Sequence, residues 1–252
     1  MPKVIIWTLE SDYDAQAVEC LANKLITHLE IDNISITTIG KSAIPRRSRK
    51  PSTEPLKQAV RNYLRDADCI CVIFVLDSDG PMASHKRQQE PNSLINQVKS
   101  VLQDAEFAGK THKAPAVCEL EAWLLIDCAG IFCYFARKRL KKDCRTRTEK
   151  RRDLSNVIKK HQKGDTELIV EAAMGGKGVK EYLAKFSKII LLTMNPKMPS
   201  KNISREKYTE SMSPAIAQYV VINDTTLRRN RSLRRLGKLI ADCARVSAAG
   251  RA

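Results

Sequence analysis

Asp77 and Asp79 close an unbroken apolar run, Cys69 to Leu76, and are followed at once by Gly80. An apolar run of that length, rich in Val and Ile, predicts a strand buried on both faces. Residues two apart on a strand point the same way, so the two carboxylates project together from its carboxyl end. Carboxylates held that close repel unless a proton or a cation sits between them, and hard cations such as Mg²⁺ or Mn²⁺ take oxygen ligands of this kind. The same Asp and Gly residues are also common in turns, so a purely structural cap is the competing expectation. Two further places put acids at the end of an expected strand. Glu10 closes Val4 to Leu9, with Asp14 one turn beyond it, and Glu119 and Glu121 follow Pro115 to Cys118. Parallel strands share one carboxyl edge, so Glu10, Asp14, Asp77, Asp79, Glu119 and Glu121 are expected to form an oxygen cage for one or two Mg²⁺ or Mn²⁺ ions.

The elements that must hold these residues alternate. Strands are expected at Val4–Leu9, Ile34–Ile39, Cys69–Leu76 and Pro115–Cys118. Helices are expected after Ser11 or Asp12, over Pro55–Asp66, and after Asn92. Strand–helix alternation of this sort predicts an α/β fold with a parallel sheet sandwiched by helices. After about Asp127 the pattern turns mostly helical: 130–140, 153–161, 166–173, 179–186, 213–221 and 231–248, with one more strand at Ile189–Met194. The expected organisation is a metal-binding α/β core over residues 1–128 and a basic, mostly helical cap over 129–252 packed on it.

Charge adds a second theme. The 252-residue chain carries a formal +16. Arg137 to Arg152 holds ten basic residues against two acids, and Arg228 to the end holds eight against Asp242. Positive charge concentrated beside a carboxylate centre points to a phosphate backbone as ligand. The candidate contacts are Arg137, Lys138, Arg139, Lys141, Lys142, Arg145, Arg147, Arg234 and Arg235. A solvated helix face, or a surface for an acidic protein, is the plainer alternative. Met174 to Gly178, MGGKG, lacks P-loop spacing and reads as a turn before a helix; in the functional alternative Lys177 reaches a scissile phosphate. His85 and Lys86 could touch substrate from the loop after Asp79. Trp123 reads as core.

No run approaches the ~18 apolar residues of a membrane span, so no membrane association is expected, and the N-terminus does not read as a signal peptide. Eight cysteines show neither zinc-ribbon spacing nor a secreted scaffold, and Cys69, Cys71 and Cys118 read as small hydrophobes in a reducing, cytoplasmic setting. The four histidines form no pair at ligand spacing.

The order Glu10, then Asp77-x-Asp79, each at a strand end, resembles Toprim domains, found in topoisomerases, primases and small nucleases. Asp14, Glu119 and Glu121 resemble the extra metal ligands of the overcoming-lysogenization-defect nucleases. The segments ELEAWLLID and EKYTES…LRRNRSLRRLGKLI also resemble a group of bacterial Toprim-like phage-defence proteins often found beside ABC-type ATPases. The core resemblance covers about the first half of the chain. It departs from the common pattern in the turn after Glu10, which is Ser-Asp where a glycine-containing turn is usual. No tyrosine stands out as a strand-passing nucleophile, and the cysteines supply no primase-type zinc module. The resemblance implies a Mg²⁺- or Mn²⁺-dependent nuclease acting on DNA or RNA, with Glu10, Asp77 and Asp79 catalytic and an ABC-type ATPase as partner. A non-catalytic nucleic-acid-binding or regulatory subunit is the alternative, and a subunit that docks on the ATPase through its basic surface is a third.

Overall fold

A computed structural model of the chain describes residues 1–43, 53–77, 88–90, 93–116, 120–137, 140, 143–162, 164–168 and 178–249. Of the sequence-derived candidates, Asp79, His85, Lys86, Glu119, Lys138, Arg139, Lys141, Lys142 and Lys177 lie outside the described residues. The chain divides into two compact units, Met1–Val117 with Ser232–Ala252, and Cys118–Arg231. This differs from the expected split at 128/129. The ELEAW segment opens the second unit, and the last helix belongs to the first.

Unit 1 is α/β. Strands β1 (Lys3–Thr8), β2 (Ser35–Ile39), β3 (Cys69–Asp77) and β4 (Thr111–Ala116) form one sheet in the order β2-β1-β3-β4, every pairing parallel. Helices α1 (Asp12–His28), α2 (Glu54–Leu64) and α3 (Leu94–Leu102) make the crossovers. The Ser11 hydroxyl caps α1 by accepting from the Tyr13 N–H at 3.1 Å. Ser93, rather than the expected Asn92, caps α3 through the Asn96 N–H.

Strand alternation divides the core between the two faces of the sheet. Ile5, Trp7, Val72, Phe74 and Leu76 pack with Leu56 and Val60 of α2 and with Val98 and Val101 of α3. Cys71 faces the other way and is disulfide-bonded to Cys243. Cys243 lies on the closing helix, Arg231–Ala249, whose buried Leu233, Leu236, Ile240 and Cys243 recur at helical spacing. That stripe explains the helix's return to unit 1: it needs an apolar face to cover. Gly237 of the same helix lies against Leu25 and Leu29, at and just past the last turn of α1. Cys71, expected as a small buried hydrophobe, is thus buried but bonded.

Unit 2 is helical. In chain order it contains α4 (Glu121–Leu124), α5 (Cys128–Ala136), α6 (Cys144–Lys150), α7 (Arg152–His161), α8 (Val179–Met194), α9 (Ser200–Glu206), α10 (Ser213–Tyr219) and α11 (Asp224–Leu227). The closing helix of unit 1 is α12. Helix α5, apolar nearly all round, is buried on almost every side, as an interior helix must be. Trp123 is fully buried, as expected of a core residue. A second disulfide joins Cys133 of α5 to Cys144 of α6.

The strand expected at Ile189–Met194 is instead the last part of α8. The buried residues Val179, Leu183, Phe186, Ser187, Ile190 and Leu191 keep a helical period, and no Gly or Pro interrupts the segment. No helix among the described residues is long and apolar enough to cross a membrane.

Candidate functional site

The sheet order locates a crevice. The chain leaves β1 toward β2 on one side and leaves β3 toward β4 on the other. The carboxyl ends of β1 and β3 therefore flank the switch point, where ligands bind in open α/β sheets. Thr8 pairs with Val75, and the Leu9 N–H donates to the Val75 carbonyl at 3.4 Å. Asp77 is the last residue of β3, and Glu10 follows the end of β1 by two residues. Asp77 is 4% exposed and Asp14, in the first turn of α1, also 4%. The positive end of a helix dipole favours an acid at that position. Glu10 is half-buried.

The shape of the edge is set from below. Trp7 donates from Nε1 to the Gly40 carbonyl at 3.2 Å, and Thr8 donates from Oγ1 to the Ile39 carbonyl at 3.2 Å. A side chain at Gly40 would meet Asp12 Oδ1 at 2.1 Å, so only glycine lets the chain leave β2 this close to α1. Asp12 in turn accepts from the Ser42 N–H and hydroxyl.

Glu10, Asp14 and Asp77 thus share one edge of unit 1. Among the described residues, the side chains whose ligand atoms all lie within 4.8 Å of one another are Cys71, His112 and Cys243; the three carboxylates are spread more widely.

Glu121, expected in the same metal set, lies in unit 2 and has its own surroundings. It is 2% exposed, and its Oε1 accepts from the Tyr208 hydroxyl at 2.8 Å. Ser213 Oγ lies 2.8 Å from the same hydroxyl, and Lys180 Nζ lies 3.9 Å from the carboxylate. Glu121 Oε2 is buried with no hydrogen-bond partner among the described residues. Burial raises the Glu121 carboxyl above its ordinary range, against the opposing pull of Lys180. Burial, with Glu121 next in importance, likewise raises the Tyr208 phenol, which stays protonated as donor. Tyr208 did not stand out in the sequence. The signal available was that ELEAW and EKYTES occur together, and here their Glu and Tyr are hydrogen-bonded.

The same motif ends at Asp127, whose role is structural. It caps α5 by accepting from the Gly130 N–H at 3.0 Å, accepts from the Val221 N–H at 2.8 Å, and pairs with both terminal nitrogens of Arg145. Arg145 also donates to the Tyr219 carbonyl at 2.8 Å. Arg145, expected on a nucleic-acid surface, is therefore held as the bridge between α5 and the segment after α10.

The other basic candidates differ in setting. Arg137 is exposed, with its guanidinium 3.8 Å from the Tyr134 ring centroid. Arg147 is exposed on α6, and Arg234 and Arg235 are exposed on α12. Arg229, part of the basic tail, is buried and donates to the Ile126 carbonyl.

In unit 1, Cys71 of β3, His112 of β4 and Cys243 of α12 form a cluster that the sequence spacing did not suggest. Burial pulls the His112 imidazole below its usual range, opposed by the Asp242 carboxylate and the Gly109 backbone. In unit 2, burial pushes the free Cys128 thiol up to about 11, so it is protonated and inert at neutral pH.

The chain matches no protein-family model, no curated protein and no solved structure.

Proposed function

We propose that this protein is a nuclease that hydrolyses DNA or RNA phosphodiesters with a Mg²⁺ or Mn²⁺ ion held at the carboxyl edge of the sheet in unit 1. The observation that carries the reading is that Asp77 ends β3 and Glu10 follows β1 by two residues, at the carboxyl ends of the two strands that flank the switch point. Asp14 adds a third carboxylate, buried like that of Asp77, to the same edge, and Asp79 completes the Asp-x-Asp sequence. The resemblance to Toprim domains, and to the Toprim-like proteins found beside ATPases, supports the same assignment.

A divalent cation, when bound, supplies the Lewis acidity that phosphoryl transfer to water requires. Glu10 and Asp77 are the residues assigned to hold it, with Asp14 as a third oxygen donor beside them. Exposed Arg234 and Arg235 of the same unit offer positive charge to the backbone of the nucleic acid without reading its bases. A second reading, a nucleic-acid-binding subunit that does not cleave, is favoured by the spread of the three carboxylates.

The test is incubation of the purified chain with single- and double-stranded DNA and RNA, in Mg²⁺, in Mn²⁺ and in chelator. Cleavage is expected with metal and lost with chelator. Glu10→Gln and Asp77→Asn should each abolish it while circular dichroism is unchanged. Binding without cleavage in every condition establishes the second reading, and cleavage that survives chelator or both variants removes the assigned site.

A further inference from the structure

Three elements far apart in the chain bring two cysteine sulfurs and an imidazole together in unit 1. Cys71 and Ile73 share a face of β3, and His112 is the partner of Ile73 in the β3–β4 register. Cys71 and His112 therefore project from the same side of the sheet. Cys243 meets them from α12, on the same helical stripe that buries Leu236 and Ile240. The ligand atoms of the three residues all lie within 4.8 Å of one another. In the structure Cys71 and Cys243 are joined as a disulfide that spans 172 residues of sequence.

We propose that in its dithiol form this cluster binds a soft divalent cation, zinc by preference, and that the Cys71–Cys243 disulfide is the metal-free, oxidised form of the same site. The donor set decides the class of ion. Two thiolates and one imidazole suit Zn²⁺ and are poor ligands for Mg²⁺ or Ca²⁺, which require oxygen. A disulfide alone explains the two cysteines but not the imidazole beside both sulfurs. The ligands stand on two strands and a helix rather than on loops, so their relative positions are fixed by packing.

Three protein ligands leave one tetrahedral position for water. The cysteines are buried and His112 is half-buried, which leaves the imidazole side as the route of entry.

Interconversion balances with a dithiol as reductant. Two electrons and two protons pass to the Cys71–Cys243 bond, which opens to two thiols, and the donor closes to its own disulfide. Zinc then displaces both thiol protons to solvent. This site is independent of the carboxylate edge, so its fate and that of the nuclease reading are separate.

Cobalt(II) is the probe. The full chain is reduced with a phosphine, which leaves as its oxide with oxygen from water, then freed of reductant without air and titrated with Co²⁺. The expected result is one Co²⁺ per chain, with a thiolate-to-cobalt charge-transfer band that Zn²⁺ abolishes and that the unreduced protein lacks. The band should survive in Cys133→Ser/Cys144→Ser and be lost in Cys71→Ser and in Cys243→Ser. Because even an outer-shell change commonly costs ~10–100-fold in metal affinity, His112→Gln should weaken binding by at least ~10-fold. That variant keeps both cysteines, so it decides the question alone if the serine variants do not fold. Absence of the band in reduced wild type, its survival without Cys71 or Cys243, or unchanged affinity in His112→Gln overturns the proposal.

Discussion

Replacing Asp127 by Ala separates two accounts of Arg145, as a hub of unit 2 or as part of a nucleic-acid surface. The carboxylate of Asp127 serves three clients: the Gly130 N–H at the start of α5, the Val221 N–H, and the Arg145 guanidinium. Loss of the cap alone costs ~1 kcal/mol, and loss of a charge-assisted hydrogen bond to Val221 costs a further ~1.5 kcal/mol. A buried ion pair broken on one side costs ~3–5 kcal/mol, but the Arg145 side chain is 38% exposed and keeps the Tyr219 carbonyl. Its share is therefore nearer the ~1 kcal/mol of an exposed pair. The expected cost of Asp127→Ala is about 3–4 kcal/mol.

Arg145→Met leaves Asp127 its two amide donors and should cost about 1–2 kcal/mol, with a coupling of ~1 kcal/mol in the double mutant. Trp7 and Trp123 lie in different units. Urea unfolding followed by fluorescence in a Trp7→Phe background therefore reports on unit 2 through Trp123. A cost for Asp127→Ala of less than about 1 kcal/mol, no more than the cap alone, would refute the reasoning. So would an Arg145→Met chain that loses nucleic-acid affinity with its stability unchanged.

The Glu121 carboxyl is raised by burial, so the folded protein holds that proton to higher pH than the unfolded chain. Its contribution is fully present below the ordinary glutamate pKa of about 4.3 and is lost as pH rises through the folded value. Glu121→Gln should therefore flatten the fall in unfolding free energy above that pH, measured by denaturant titration across the acid-to-neutral range; parallel curves for the two proteins would contradict this. Gly40→Ala should destabilise by ~1–3 kcal/mol, because the added carbon meets the Asp12 side chain at 2.1 Å and the Asp12 backbone at 2.9 Å. Adding Asp12→Ala should restore only part of the melting temperature, since the clash with the backbone of residue 12 stays. If Arg234 and Arg235 contact phosphate, Arg234→Gln/Arg235→Gln should lower the slope of log affinity against log salt by about two. An unchanged slope assigns that face of α12 to another partner.

Local pattern carried much of unit 1. Strands β1, β2 and β3, their alternation with helices and the Ser11 cap follow from apolar pattern and capping chemistry, which act over a few residues, whereas β4 runs over Thr111–Ala116, mostly ahead of the strand expected at Pro115–Cys118. Parallel strands share one carboxyl edge, so Glu10 and Asp77 were expected on the same edge, but only the sheet order made β1 and β3 adjacent. The period also contained the answer where the expectation failed. Val179 to Met194 repeats at helical spacing throughout, and reading its apolar end alone turned the last six residues into a strand.

The partnerships of distant residues were decided by tertiary structure. Nothing near Cys71 points to Cys243, and nothing near Glu121 points to Tyr208. The entropy of closing a loop grows only with the logarithm of its length, so spacing barely ranks one distant partner above another. The choice falls instead to packing. Helix α12 needs an apolar surface for its stripe, and covering the sheet brings Cys243 to Cys71 and His112. Arg145 makes the same point for charge. Its sequence neighbourhood is a basic run, and only the folded positions of Asp127 and the Tyr219 carbonyl give its guanidinium two acceptors that the run itself does not contain.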